Sequence, residues 1–155
     1  MMEDYVLQDE LRKRALKLLD YRPMSRRELI DKLVQKGEEK EAAAEAVDWL
    51  IEVGLLNEGI YAEQVIRHYA AKGYGKHRIE QELWRRGVAK ELWDGAFQEM
   101  PDGDDAIDRF IQSKLRGEAP DQREEKRVVD ALCRRGYSWD EINQAMRRYK
   151  DSLDS

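Results

Sequence analysis

One apolar–glycine motif, written three times, constrains this chain more than any other feature. Leu29, Leu33 and Gly37 are spaced four residues apart. Ile79, Leu83 and Gly87 repeat that spacing, and so do Val128, Leu132 and Gly136. Successive copies lie 50 and 49 residues apart. Self-similarity at such a period marks an array of small supersecondary units, none of which buries its apolar face alone. The 155 residues then divide into three subdomains, each too small to stand well by itself. Their working surface is expected to be an extended face rather than one enclosed pocket.

Each copy reads as three helices. Ala, Glu, Leu, Lys and Arg dominate, only three prolines occur, and no period-two pattern appears, so the chain suits helices and little else. In the first repeat Leu11, Ala15, Leu18 and Leu19 form an amphipathic stripe that ends near Arg22-Pro23. Ser25 with Glu28 is a capping-box pattern opening the middle helix, and Gly37 supplies its left-handed stop. Ala43, Ala46, Val47, Leu50 and Ile51 carry the third helix to Gly54. The second repeat runs from the Tyr61–Tyr69 stripe, through the break Gly73-Tyr74-Gly75, to Trp93, Ala96 and Phe97. The third follows the turn Pro101-Asp102-Gly103. Ala106, Ile107, Phe110 and Ile111 form its first stripe, and Asp121/Glu124 and Ser138/Glu141 cap its later helices. Arg116–Pro120 reads as a loop. The acidic stretch Glu38–Glu41 reads as a four-residue insertion in the first copy, and Asp151–Ser155 is expected to fray. The boundaries are 8–57, 58–100 and 101–151.

Catalysis finds little support. His68 and His77 are nine residues apart and Cys133 is the single cysteine, so metal-ligand spacing is absent. There is no glycine-rich phosphate loop and no nucleophile elbow. The chain reads as a non-enzyme without cofactor or metal. His68 is expected on a helix surface, Cys133 in the core, and the carboxylates on solvated faces. A net charge of −5 gives no global basic field for nucleic acid. No apolar run approaches a membrane span, Met1–Leu7 lacks the basic start of a signal peptide, and one cysteine suits a reducing compartment. A cytoplasmic monomer is expected.

The cations are informative once placed by repeat. Arg85-Arg86 and Arg134-Arg135 precede the stop glycine, where the first copy has Lys36. There they complement the helix dipole. Arg26-Arg27, Lys76-His77-Arg78 and Lys126-Arg127 sit near the start of the middle helix, where cations oppose the dipole. Two readings stand. They form anion sites, with free backbone N–H groups, for a partner's carboxylates or phosphates; or they pair with neighbouring acids such as Glu28, Asp31 and Glu82. Of the aromatics, Trp93 holds a repeat-core position and is expected to be buried, and Tyr61, Tyr69 and Tyr74 are expected to pack. Trp84 either seals a joint or is exposed for binding; Trp49 and Trp139 are open.

The ordered set Gly54-Leu55-Leu56-Asn57-Glu58, Tyr61-Ala62, Gly73-Tyr74-Gly75-Lys76-His77-Arg78-Ile79, Leu83 and Gly87-Val88 resembles the RecX family, regulators of the RecA recombinase. Ala15, Leu18, Ser25, Glu28-Leu29, Leu33 and Gly37 extend the resemblance upstream. Arg135-Gly136-Tyr137-Ser138 and Glu141-Ile142 extend it downstream, so that it covers nearly the whole chain. Asn57-Glu58 departs from the usual acidic pair, and the net charge is lower than in more basic members. The resemblance implies a curved, elongated all-α molecule of three tandem three-helix, helix-turn-helix-like repeats. It implies binding in the groove of the RecA–single-stranded DNA filament, with inhibition of filament growth, ATP hydrolysis and strand exchange. The partner-binding residues, for RecA or DNA, are then Arg26, Arg27, Lys76, His77, Arg78, Arg85, Arg86, Lys126 and Arg127. The alternative is a direct nucleic-acid-binding protein that uses its helix-turn-helix-like repeats, with single- or double-stranded DNA bound weakly. Against it, the third helices are acidic (Glu41, Glu45, Asp48 and Glu52; Glu91, Asp94 and Glu99), and these side chains repel phosphate.

Overall fold

A computed structural model describes residues 2–154. Among them are nine α-helices and no strand, three helices to each repeat. The first repeat holds α1 (Met2–Tyr21), α2 (Arg26–Gln35) and α3 (Lys40–Glu52). The second holds α4 (Glu58–Ala71), α5 (Lys76–Arg85) and α6 (Trp93–Phe97), the last entered through a one-turn 3-10 helix, Lys90–Leu92. The third holds α7 (Asp104–Leu115), α8 (Gln122–Arg134) and α9 (Trp139–Leu153). The chain forms two compact units. The first is Met1–Gln64 with Leu83–Gln98; the second is Val65–Glu82 with Glu99–Ser155.

The repeated motif is buried in every copy: Leu29, Leu33, Ile79, Leu83, Val128 and Leu132 are all in the core. Each such side chain contributes about 1.5–3 kcal/mol by leaving water. The fourth residue before each glycine has a second task. Its carbonyl accepts the amide of the residue after the glycine: Glu38 to Leu33 at 3.1 Å, Val88 to Leu83 at 3.0 Å, Tyr137 to Leu132 at 3.3 Å. This closure satisfies carbonyls that the helix end leaves open, and it needs a left-handed residue in between. The middle helices start as the sequence indicates at Ser25 and Asp121, and α9 at Ser138. Each has a reciprocal capping box with Glu28, Glu124 and Glu141 respectively.

In the first unit Leu11 and Ala15 of α1 meet Leu29, Ile30 and Leu33 of α2 and Ala43, Val47 and Leu50 of α3. In the second, Ile107, Ile111 and Leu115 of α7 pack with Val128 and Leu132 of α8 and Ile142, Ala145 and Met146 of α9. Buried third-helix residues lie six, nine and ten positions after the glycine in every copy: Ala43, Ala46 and Val47; Trp93, Ala96 and Phe97; Ile142, Ala145 and Met146. The first copy therefore contains no insertion. Glu38–Glu41 occupies ordinary repeat positions, with α3 beginning inside it at Lys40.

Two other expectations, on Cys133 and on the carboxylates, need correction. Cys133 is exposed rather than in the core, because it lies one position beyond Leu132 on α8. Glu82 is buried although the carboxylates read as solvated. α1 begins at Met2, well before its apolar stripe, and leaves Met2, Tyr5, Val6 and Leu7 exposed. At the other end, where fraying was expected from Asp151, α9 remains helical to Leu153; Ser155 lies outside the described residues.

Gly37 and Gly136 both have positive φ, 103° and 96°. An added Cβ on Gly37 meets nothing, whereas on Gly136 it would fall against the backbone and Cβ of Arg78. Gly37→Ala should cost only the left-handed strain, about 1–2 kcal/mol. Gly136→Ala should cost at least about 1 kcal/mol more from overpacking. Urea unfolding of the two variants checks the difference.

Candidate partner-binding surface

The starts of α2 and α5 are engaged in a way the sequence did not indicate. In the first unit the start of α2 meets the end of α5. The Ser25 hydroxyl accepts the Glu28 amide at 3.1 Å and donates to the Arg86 carbonyl at 2.5 Å. Arg27 Nη2 donates to the Arg85 carbonyl at 2.6 Å, and its side chain covers Gly87. Glu28 Oε1 accepts both the Ser25 amide at 3.1 Å and the Tyr61 hydroxyl at 2.6 Å, while Arg86 Nη1 donates to that hydroxyl at 2.9 Å. Burial pushes the Tyr61 phenol up, the bond to Glu28 adds to the rise, and Arg86 opposes it.

In the second unit the start of α5 meets the end of α8. The Gly75 amide donates to the Arg135 carbonyl at 2.7 Å, and the His77 amide donates to the Gly136 carbonyl at 3.1 Å. The Tyr137 hydroxyl donates to the Gly73 carbonyl at 2.7 Å; burial pushes this phenol up as well. Gly75 allows the approach, since a Cβ there would lie 2.6 Å from the Gly136 carbonyl oxygen.

Both junctions obey one electrostatic rule. A helix start has spare N–H groups and partial positive charge; a helix end has spare carbonyls and partial negative charge. Each satisfies the other. Arg27 opposes the dipole of its own helix but complements the end of its neighbour. The acceptor that meets the starts of α2 and α5 is a neutral backbone carbonyl with partial negative charge, a partner that neither reading from sequence named.

Local pairing also differs from the acids named above. Arg26 binds Asp48 through Nε at 2.7 Å and Nη2 at 3.2 Å, and its amide donates to Glu58 at 2.6 Å. The guanidinium holds Asp48 below the usual aspartate range, and the carboxylate holds Arg26 above its own. Glu28 serves Arg22, at 3.3 Å, and Tyr61. Arg78 reaches Gln81 at 3.5 Å and lies 5.6 Å from the Tyr74 ring.

The remaining predicted residues are distributed as follows. Lys76 and His77 are exposed, with His77 Nδ1 3.8 Å from Glu80. Arg85 is exposed and Arg86 half-buried. Lys126 lies 3.8 Å from Asp130, and Arg127 is exposed beside it on α8. Arg135, at the end of α8, stacks 4.7 Å from the Phe110 ring. Trp93 is buried, its indole donating to the Val88 carbonyl at 3.1 Å. Trp49 is half-buried beneath Arg12, 4.3 Å away. Trp84 and Trp139 face solvent, as does His68. Among the described residues no group of His, Cys, Asp and Glu could hold a metal, and no helix is long and apolar enough to cross a membrane.

Comparison with known proteins places this geometry. The first, second and third three-helix domains of RecX match residues 12–50, 57–96 and 102–146 in turn. The chain belongs to the RecX family. The regulatory protein RecX of Halorhodospira halophila is 35% identical over 152 residues, covering 94% of this chain and 91% of the relative. That of Pseudomonas fluorescens is 37% identical, covering 88% and 89%. A crystal structure of RecX from Lactobacillus salivarius shares the fold with a TM-score of 0.85, at 19% identity, over 97% of this chain and 99% of that one.

Sequence reasoning missed Tyr61 and Tyr137 as junction residues and Asp48 as the partner of Arg26. A signal existed: Val88 and Tyr137 follow the stop glycines that are met by a neighbour, whereas Glu38 follows the one that is not. Ser25→Ala should cost about 2 kcal/mol, because it removes a cap and leaves the Arg86 carbonyl without its donor. Ser138→Ala, which removes a cap alone, should cost about 1 kcal/mol. Chemical unfolding distinguishes them. Asp48→Asn should cost less than about 1 kcal/mol at neutral pH, since the pair is exposed. Asp48 titrates low in the folded protein, so its contribution is complete above the ordinary value of 3.8. That contribution is lost as pH falls through the depressed value. The unfolding midpoints of wild type and Asp48→Asn should therefore converge as the pH is taken below 3.8.

Proposed function

We propose that this protein regulates homologous recombination by binding the RecA–single-stranded DNA filament in its helical groove. Bound there, it inhibits filament growth, ATP hydrolysis and strand exchange. Membership of a family of regulatory proteins, matched domain by domain over nearly the whole chain, carries this reading. The physical form agrees with it. Three related surfaces on one chain suit a periodic partner, because each further contact made after the first is effectively intramolecular. Regulation of this kind needs occupancy and no catalytic residue.

Within the set of candidate contacts, the junction geometry separates two roles. Arg26 pairs with Asp48, Arg27 binds a backbone carbonyl inside the protein, and Arg86 bonds to Tyr61; these maintain the fold. Lys76, His77, Arg78, Arg85, Lys126 and Arg127 are exposed and form the partner-facing group. Direct reading of DNA is disfavoured. Glu41, Glu45 and Glu52 are exposed on α3, and acids on a recognition helix repel phosphate.

Measurement of RecA ATP hydrolysis on single-stranded DNA tests the proposal. Inhibition is expected at amounts well below RecA; none at equimolar amounts would contradict it. The double variant Lys126→Glu/Arg127→Glu should need several-fold more protein for half-inhibition, because like charges then face the partner's carboxylates or phosphates. Its unfolding midpoint should change little.

A further inference from the structure

The residue three positions before the stop glycine is apolar in every copy, yet none of the three is buried. Trp84 is 72% exposed, Val34 is 40% exposed and Cys133 is exposed. The helix period explains why they are not in the core. The apolar face of each middle helix is used by the residues eight and four before the glycine, and the position three before turns away from it. Folding therefore does not account for an apolar residue here. A fully exposed tryptophan forgoes the largest apolar gain any side chain can make, so Trp84 stands out on the surface of the first unit.

Its surroundings say what could cover it. Trp84 precedes Arg85, whose carbonyl receives the Arg27 guanidinium. The exposed cation next to it on α5 is Arg85, while the Arg27 guanidinium across the junction is engaged with that carbonyl. Asp31 is the acid one turn further along α2. An aromatic anchor next to an exposed arginine has the composition of a protein–protein hot spot: the ring fills an apolar socket and the guanidinium meets a carboxylate at its rim. Stacking on an unpaired base is the other use of such a ring. It suits this chain less, since the whole chain carries a net charge of −5 and so no global basic field to draw in a nucleic-acid backbone.

We propose that Trp84, with Arg85 beside it, is the principal anchor for a protein partner whose surface offers an apolar socket rimmed by carboxylates. This rests on the reading above, in which that partner is a RecA subunit of the filament. Val34 and Cys133 hold the corresponding position in the other repeats, where a periodic partner would present the same socket again. Their smaller side chains fill it less.

Trp84→Ala and Trp84→Phe decide the matter in the RecA ATP hydrolysis assay. Because the side chain is exposed, both variants should keep the wild-type circular dichroism and unfolding midpoint. Trp84→Ala should raise the half-inhibitory concentration about tenfold or more, and Trp84→Phe should recover most of that loss. If wild type inhibits and Trp84→Ala inhibits equally well, the proposal is overturned. It is also overturned if a dT oligonucleotide without RecA quenches wild-type tryptophan fluorescence and Trp84→Ala loses that quenching, since the ring would then be a base-stacking platform. If wild type itself fails to inhibit, the reading of function fails, and the anchor falls with its partner.

Discussion

The structure depends on one mutual satisfaction: the start of one middle helix meets the end of the next. Helix starts and ends leave backbone groups unpaired, and burying such groups without a partner costs more than a hydrogen bond gains. Here Gly75 and His77 donate to the carbonyls of Arg135 and Gly136, and Ser25 and Arg27 donate to those of Arg86 and Arg85. Small repeats with modest cores thereby bind a neighbour by polar means that a solvated surface could not supply. The glycines of the motif follow from this. They terminate the helix, and at Gly87 and Gly136 they also leave room for the arriving chain.

The ends of the series show what happens where a neighbour is lacking. Gly37 is exposed, and Glu38 follows it in place of the buried Val88 and Tyr137. Position 124, which corresponds to Ser25 and Gly75, is an exposed glutamate. It serves the helix's own capping box with Asp121, one turn further upstream.

Much of the fold was legible because it is governed by local rules. Apolar spacing, capping boxes at Ser25, Asp121 and Ser138, and left-handed glycines act within a few residues, and each appears where the pattern requires. The apparent insertion at Glu38–Glu41 misled for a physical reason. Acidic residues replace apolar ones at an open end, which looks like an added loop although the register is unchanged. The site was less legible. Arg27, a cation opposing its own helix dipole, suggested an external anion, but its guanidinium donates to a neutral carbonyl 58 residues away in sequence. Spacing holds no record of which helix end lies opposite. Trp84 could be placed on a helix but not assigned to core or solvent, because it sits beside Leu83 and the distinction depends on packing.

Amide hydrogen exchange at Gly75 and His77 tests the junction most directly. Amides in the first turn of a helix have no partner within it, so an isolated middle helix would exchange both at rates close to those of an unfolded chain. If the carbonyls of Arg135 and Gly136 hold them, both should be protected to nearly the same degree as the Leu83 amide in the same helix. Unprotected exchange at both positions, with Leu83 still protected, would show that the helices fold without this joint and would contradict its central place.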